Sequence, residues 1–99
     1  MRVARKMRRY LITAKAWREI GYVRDYFSES LISAHTLQDA LQVYEIRHKQ
    51  RFNVGCEFSD VQPLTERMYN ILSGHFPEGS FTDGRQITSK MWQVIDANT

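Results

Sequence analysis

Residues 1–21 read MRVARKMRRYLITAKAWREIG, and the fold turns on how this run is laid out in space. At 100° per residue Val3, Met7, Tyr10, Leu11, Ala14 and Trp17 gather within about a third of a helix circumference. Arg5, Arg8, Arg9 and Lys15 lie opposite. Ile12 is the one clear violation, an apolar side chain pointing in the basic direction. Gly21 stands where a helix ending here needs a left-handed residue. The spacing predicts a long amphipathic basic helix, docked through one face and offering the other to water or a partner. A solvated surface helix with an ordinary core stripe is the plainer reading of the same pattern.

Working outward, residues 22–33 (YVRDYFSESLIS) are ambiguous. Val23, Tyr26 and Phe27 fit a short helix, while their aromatic and branched character also suits a strand. With serines at 28, 30 and 33 the expectation is a short helix or irregular connector. Thr36-Leu37-Gln38-Asp39 gives a clearer start: a hydroxyl ahead of a helix and a carboxylate three positions on. Leu37, Leu41, Tyr44, His48 and Phe52 form one stripe, and Val43 and Ile46 lie on another side. Residues 37–52 are therefore expected as the central helix, ended by Asn53-Val54-Gly55. Cys56-Glu57-Phe58 reads as an extended connector. Ser59-Asp60 and Pro63 read as a second helix start, followed by a stripe of Val61, Leu64, Met68, Ile71 and Leu72, with Gly74 as its cap. Residues 74–86 (GHFPEGSFTDGRQ) form the longest unpatterned stretch, a type often used for binding. Ile87, Met91, Val94 and Ile95 predict a short last helix, with Trp92 off its stripe.

The chain has 99 residues, enough for one domain, and its 42% hydrophobic and 25% charged residues are ordinary for a globular chain. No apolar run approaches the roughly 18 residues that span a bilayer. The basic opening lacks the apolar region of a secretory signal. A lone cysteine, Cys56, excludes an intramolecular disulfide and suits a reducing, cytoplasmic setting. The net charge of +3 is unevenly spread: residues 1–24 hold eight Lys/Arg against Glu19 alone, and residues 25–99 hold six against ten Asp/Glu. A basic head of this kind attracts phosphates or an acidic protein surface, or folds onto its own acidic body.

The residues that carry chemistry elsewhere are not arranged for it in this sequence. His35, His48, His75 and Cys56 lack the paired spacings of zinc motifs, and a stripe histidine such as His48 is usually a hydrogen-bonded core residue. The glycines at 55, 74, 79 and 84 match no phosphate-loop pattern. No metal, no cofactor and no enzymatic activity are expected. The basic opening could line phosphates, with Tyr10 or Trp17 stacking on bases, but no helix-turn-helix, zinc-finger or RRM signature accompanies it. Protein binding accounts for more: Ile12, Phe76, Phe81 and Trp92 are surplus to the inferred core, and arginines and aromatics are typical anchors.

The basic opening RVARKMRRYLI, the motif-free body and the loop HFPEGSF together resemble small phage-encoded host-modulating proteins, such as those of lambdoid phages that bind the host RecBCD helicase–nuclease. The likeness is one of size and texture and carries over no functional residue. It implies a non-enzymatic inhibitor or modifier of a nucleic-acid-processing enzyme.

The sequence therefore predicts one mainly α domain, a compact bundle of about four helices, with an α+β fold carrying a hairpin over residues 8–32 as the alternative. The expected function is protein binding, through Arg5, Arg8, Arg9, Ile12 and Lys15 with Phe76, Pro77, Phe81 and Trp92. Direct nucleic-acid binding of weak sequence preference comes second; a membrane or small-molecule partner is not expected.

Overall fold

The computed structural model describes residues 6–16 and 27–97. It is an α+β fold, not the mainly α bundle expected. Among the described residues four strands, β1 (Arg8–Ala16), β2 (Phe27–Ala34), β3 (Cys56–Leu64) and β4 (Thr82–Asp83), accompany three helices, α1 (Leu37–Phe52), α2 (Glu66–Ser73) and α3 (Gln86–Ala97). The sheet is antiparallel in the order β3-β1-β2-β4.

Residues 8–16 of the run expected as the basic helix form an inner strand of this sheet; residues 1–5 and 17–26, with Arg5, Trp17 and Gly21, lie outside the described residues. β1 is sandwiched. Tyr10, Ile12 and Ala14 pack with Ala40 and Tyr44 of α1, while Leu11 packs on the other face with Leu72 of α2 and with Ile87 and Met91 of α3. A strand covered on both faces reads as a near-continuous apolar run, because neither face needs polar residues. Ile12, which breaks the helical stripe, is in phase with Tyr10 and Ala14 at the strand period of two. Leu11, Ile12, Leu31 and Ile32 are buried to 2% exposure or less, each contributing about 1.5–3 kcal/mol by leaving water.

β1 pairs with β2 from Arg8 opposite Ala34 to Lys15 opposite Phe27. Residues 27–33, expected as helix or connector, thus form a strand beside β1. Its polar residues are not a break. Ser28, Glu29 and Ser30 are buried, and two of them are held by specific partners: the Tyr44 hydroxyl donates to the Ser28 carbonyl at 2.8 Å, and the Glu29 carboxylate receives the start of α3. β3 pairs with the other edge of β1, with a register shift where Thr13 faces Asp60 and Ala14 faces Phe58, leaving Ser59 as the extra residue of a bulge.

α1 starts and ends on local signals. The Thr36 hydroxyl accepts from the Asp39 amide at 3.1 Å, and Asn53 closes the helix in the left-handed region at φ 57°. The expected second helix is half strand: Ser59, Asp60 and Pro63 belong to β3, and the cap is Thr65, whose hydroxyl accepts from the Met68 amide. Pro63 is tolerated because β3 is an outer strand. Gly74 follows α2 in the right-handed region, so it is not the left-handed stop its position suggested.

Residues 75–85 strap the edge of β2. The Gly79 amide donates to the Leu31 carbonyl at 3.0 Å, β4 pairs with Ser28 and Glu29, and the Gly84 amide donates to the Phe27 carbonyl at 2.8 Å. Along this strap Phe76 packs into the core on the α2–α3 side and Phe81 into the core on the α1 side.

Candidate functional site

At the head of β1 the chain forms an open groove of about 660 Å³ between the run Lys6–Tyr10, Leu37 at the start of α1, and the junction of β3 with α2. Three parts of the chain far apart in sequence meet here because β1 lies between β2 and β3, and because α1 leaves β2 at the same end of the sheet where α2 leaves β3.

The groove is both apolar and basic. Met7 is 40% exposed and Leu37 45%, two of the four large hydrophobic side chains left open to solvent among the described residues. Lys6 and Arg8 are exposed beside them, and neither is paired with a carboxylate among the described residues. Arg9, next in line, is committed internally. Its guanidinium reaches Glu66 Oε1 at 3.3 Å, donates to the Ser33 hydroxyl, and lies 4.4 Å over the Tyr69 ring. The hydrogen bond to Glu66 raises the Arg9 pKa further, against a smaller effect of burial. Glu66 is over half exposed, so the ion pair adds at most about 1 kcal/mol. The role of Arg9 is to fasten β1 to α2 and β2 under the groove.

The other residues expected in a binding face are dispersed. Arg5 lies outside the described residues. Ile12 is wholly buried in the core and presents nothing to a partner. Lys15 is at the opposite end of β1 from Arg8, with its ammonium 5.2 Å over the Phe27 ring. Phe76 and Phe81, both expected on a binding loop, pack on opposite faces of the sheet. Pro77, in a trans peptide, is exposed at a turn where its carbonyl accepts from the Ser80 amide at 3.1 Å. Trp92 is 55% exposed on α3. Of the eight that are described, the structure brings only Arg8 and Arg9 to the groove.

The titratable groups elsewhere are explained by packing. His48 is buried among the rings of Tyr44, Phe52 and Phe81. Its Nδ1–H donates to the Val54 carbonyl at 3.1 Å, and burial lowers its pKa. Burial pushes the Cys56 thiol up to about 11, so it stays protonated at neutral pH. Among the described residues no three His, Cys, Asp or Glu side chains are grouped to hold a metal ion, and no helix is long and apolar enough to cross a membrane.

Lys6, Met7, Leu37 and Pro63 are among the groove residues that sequence reasoning missed. Lys6 carried a signal, since it belongs to the basic opening. Leu37 carried the opposite one, because its place on the stripe of α1 marked it for the core. No family model, curated protein or solved structure matches the chain.

Proposed function

We propose that the protein is a non-enzymatic protein-binding modulator that takes a partner segment of acidic and apolar side chains in the groove at the head of β1. The observation that carries this reading is the convergence of Met7 and Leu37, both left open to water, with Lys6 and Arg8, cations that have no counter-charge among the described residues. Apolar anchors within a charged rim are the usual composition of a recognition patch: the anchors supply affinity and the charges supply steering and register. The resemblance to phage host modulators makes a nucleic-acid-processing enzyme the expected partner.

A pull-down from nuclease-treated bacterial lysate tests this, with the wild-type chain beside a Met7→Asp, Leu37→Asp double variant checked by circular dichroism for an intact fold. A stoichiometric protein partner retained by the wild type, with affinity about tenfold or more weaker for the variant, supports the reading. A partner held equally by both, or nothing retained by either, overturns it.

The second reading, direct nucleic-acid binding through the basic opening, is favoured by one observation: Lys6 and Arg8 have no internal counter-charge among the described residues. Retention that disappears with nuclease treatment would move the function to this reading.

A further inference from the structure

We propose that a second site lies on the far side of the sheet strap, in the cleft between α1 and residues 79–81, and that it binds the phosphate of a nucleotide. Arg47 and Arg51 would clamp the phosphate, and Phe81 would lie against the base. The cleft is shallow and open, about 550 Å³, and is lined by Arg47, Gln50 and Arg51 from α1 and by Gly79, Ser80 and Phe81 from the strap.

Arg47 and Arg51 are four apart, so both point from one face of α1. Two cations near the end of a helix are often no more than complements of its dipole, but three observations go beyond that. First, Arg47 reaches across to the strap: a Cβ built at Gly79 would stand 2.7 Å from Arg47 Nη1, so the exposed guanidinium lies alongside the Gly79 backbone at the cleft. Gly79 is also in the left-handed region at φ 79°, which disfavours any replacement.

Second, the donors are unspent. Neither arginine makes an ion pair or hydrogen bond with another described residue; Arg51 makes only a cation–π contact, its guanidinium 5.5 Å over the Phe52 ring. Glu78, the carboxylate nearest in sequence to the cleft, interacts with Tyr69 and Arg9 instead. Two planar forks with no carboxylate partner among the described residues match phosphate oxygens in number and geometry.

Third, the cleft ends on an aromatic ring. Phe81 is fixed by edge contacts with Tyr44 at 5.2 Å and Phe52 at 5.4 Å, yet it remains half-buried and lines the cleft. A fixed ring beside a cationic clamp is the pairing that holds bases without reading their sequence. The phosphate source is either a free nucleotide or a nucleic-acid strand, which offer the same group and ring.

The test titrates the full chain, at about 50 mM salt, with thymidine 5′-monophosphate and with a fluorescein-labelled oligothymidylate about twelve residues long. Backbone amide shifts follow the first probe and anisotropy the second. Expected shifts are confined to residues 47–51 and 79–82, and the strand's log K against log salt has a slope of about −1.4 for two phosphates. Arg47→Gln with Arg51→Gln should weaken binding about tenfold or more, while Arg67→Gln with Lys90→Gln, the same change in charge away from both the cleft and the groove, should weaken it less than about twofold. A strand bound about tenfold more tightly than the monophosphate names nucleic acid as the source; equal affinity names the free nucleotide. Equal losses in the two double variants, or no binding of either probe at about 1 mM, overturn the proposal. This site and the partner groove share no residue, so each can fail alone.

Discussion

Glu29 accepts the Ile87 amide at 2.9 Å from 58 residues away in sequence. The same carboxylate oxygen accepts the Thr88 amide at 3.1 Å, and its second oxygen accepts the hydroxyls of Thr13, at 2.8 Å, and Thr88. A buried strand carboxylate thus does for α3 what a neighbouring Ser or Asp does for most helices: it satisfies the open amides of the first turn and places negative charge at the positive end of the helix.

Replacing Glu29 with Ala removes these bonds and leaves buried amides unpaired, so we expect a loss of about 2–4 kcal/mol in folding stability. Urea denaturation checks this. A loss below about 0.5 kcal/mol would show that α3 is held by its apolar face alone.

His48 makes stability depend on pH. Burial lowers its folded-state pKa below the ordinary 6.5, so between the two values the unfolded chain binds the proton and the folded chain does not. Its contribution is therefore whole above about pH 6.5 and diminishes as pH falls through the window. Denaturation midpoints at about pH 7.5 and about pH 5.5 should differ in that direction, and His48→Phe should reduce the difference.

Phe81 and Trp92 should separate cleanly. Phe81→Ala removes ring contacts with Tyr44, His48 and Phe52 and is expected to cost about 2–4 kcal/mol. Trp92→Ala, on an exposed side chain, should stay within about 0.5 kcal/mol. Thermal melts of the two variants compare them, and the reverse order would place Trp92 in a core contact.

Tyr44→Phe tests the polar seam under α1. The hydroxyl donates to the Ser28 carbonyl at 2.8 Å and lies 2.9 Å from the Ser28 hydroxyl, and burial raises the phenol's pKa, so it remains a donor. Losing it leaves buried Ser28 short of a partner, and denaturant melts should record a cost of about 1–3 kcal/mol.

What was legible in the sequence was what is determined locally. Thr36 with Asp39, and Asn53 sixteen residues beyond Leu37, bound α1 because caps act within one turn. β1 was not legible in the same way: Tyr10, Leu11 and Ala14 satisfy a helical stripe by accident of a strand that is buried on both faces, and only Ile12 records the true period. β3 and α2 share one apparent stripe because Val61 and Leu64 of the strand stand at helical spacing from Met68 of the helix. The groove depends on Met7, Leu37 and Pro63 meeting across the sheet, and Glu29 on a partner 58 residues on; no local pattern encodes either.

The strand order also sets a timetable. β1 precedes the other described strands, yet one of its neighbours is residues 56–64. During synthesis that edge stays open until residue 64 has emerged, with Leu11 and Ile12 bare until the helices arrive. Nascent chains stopped before Leu64 therefore carry an unpaired apolar strand, the species most ready to recruit another chain. The same sequence is safe from that hazard only once its third strand has docked.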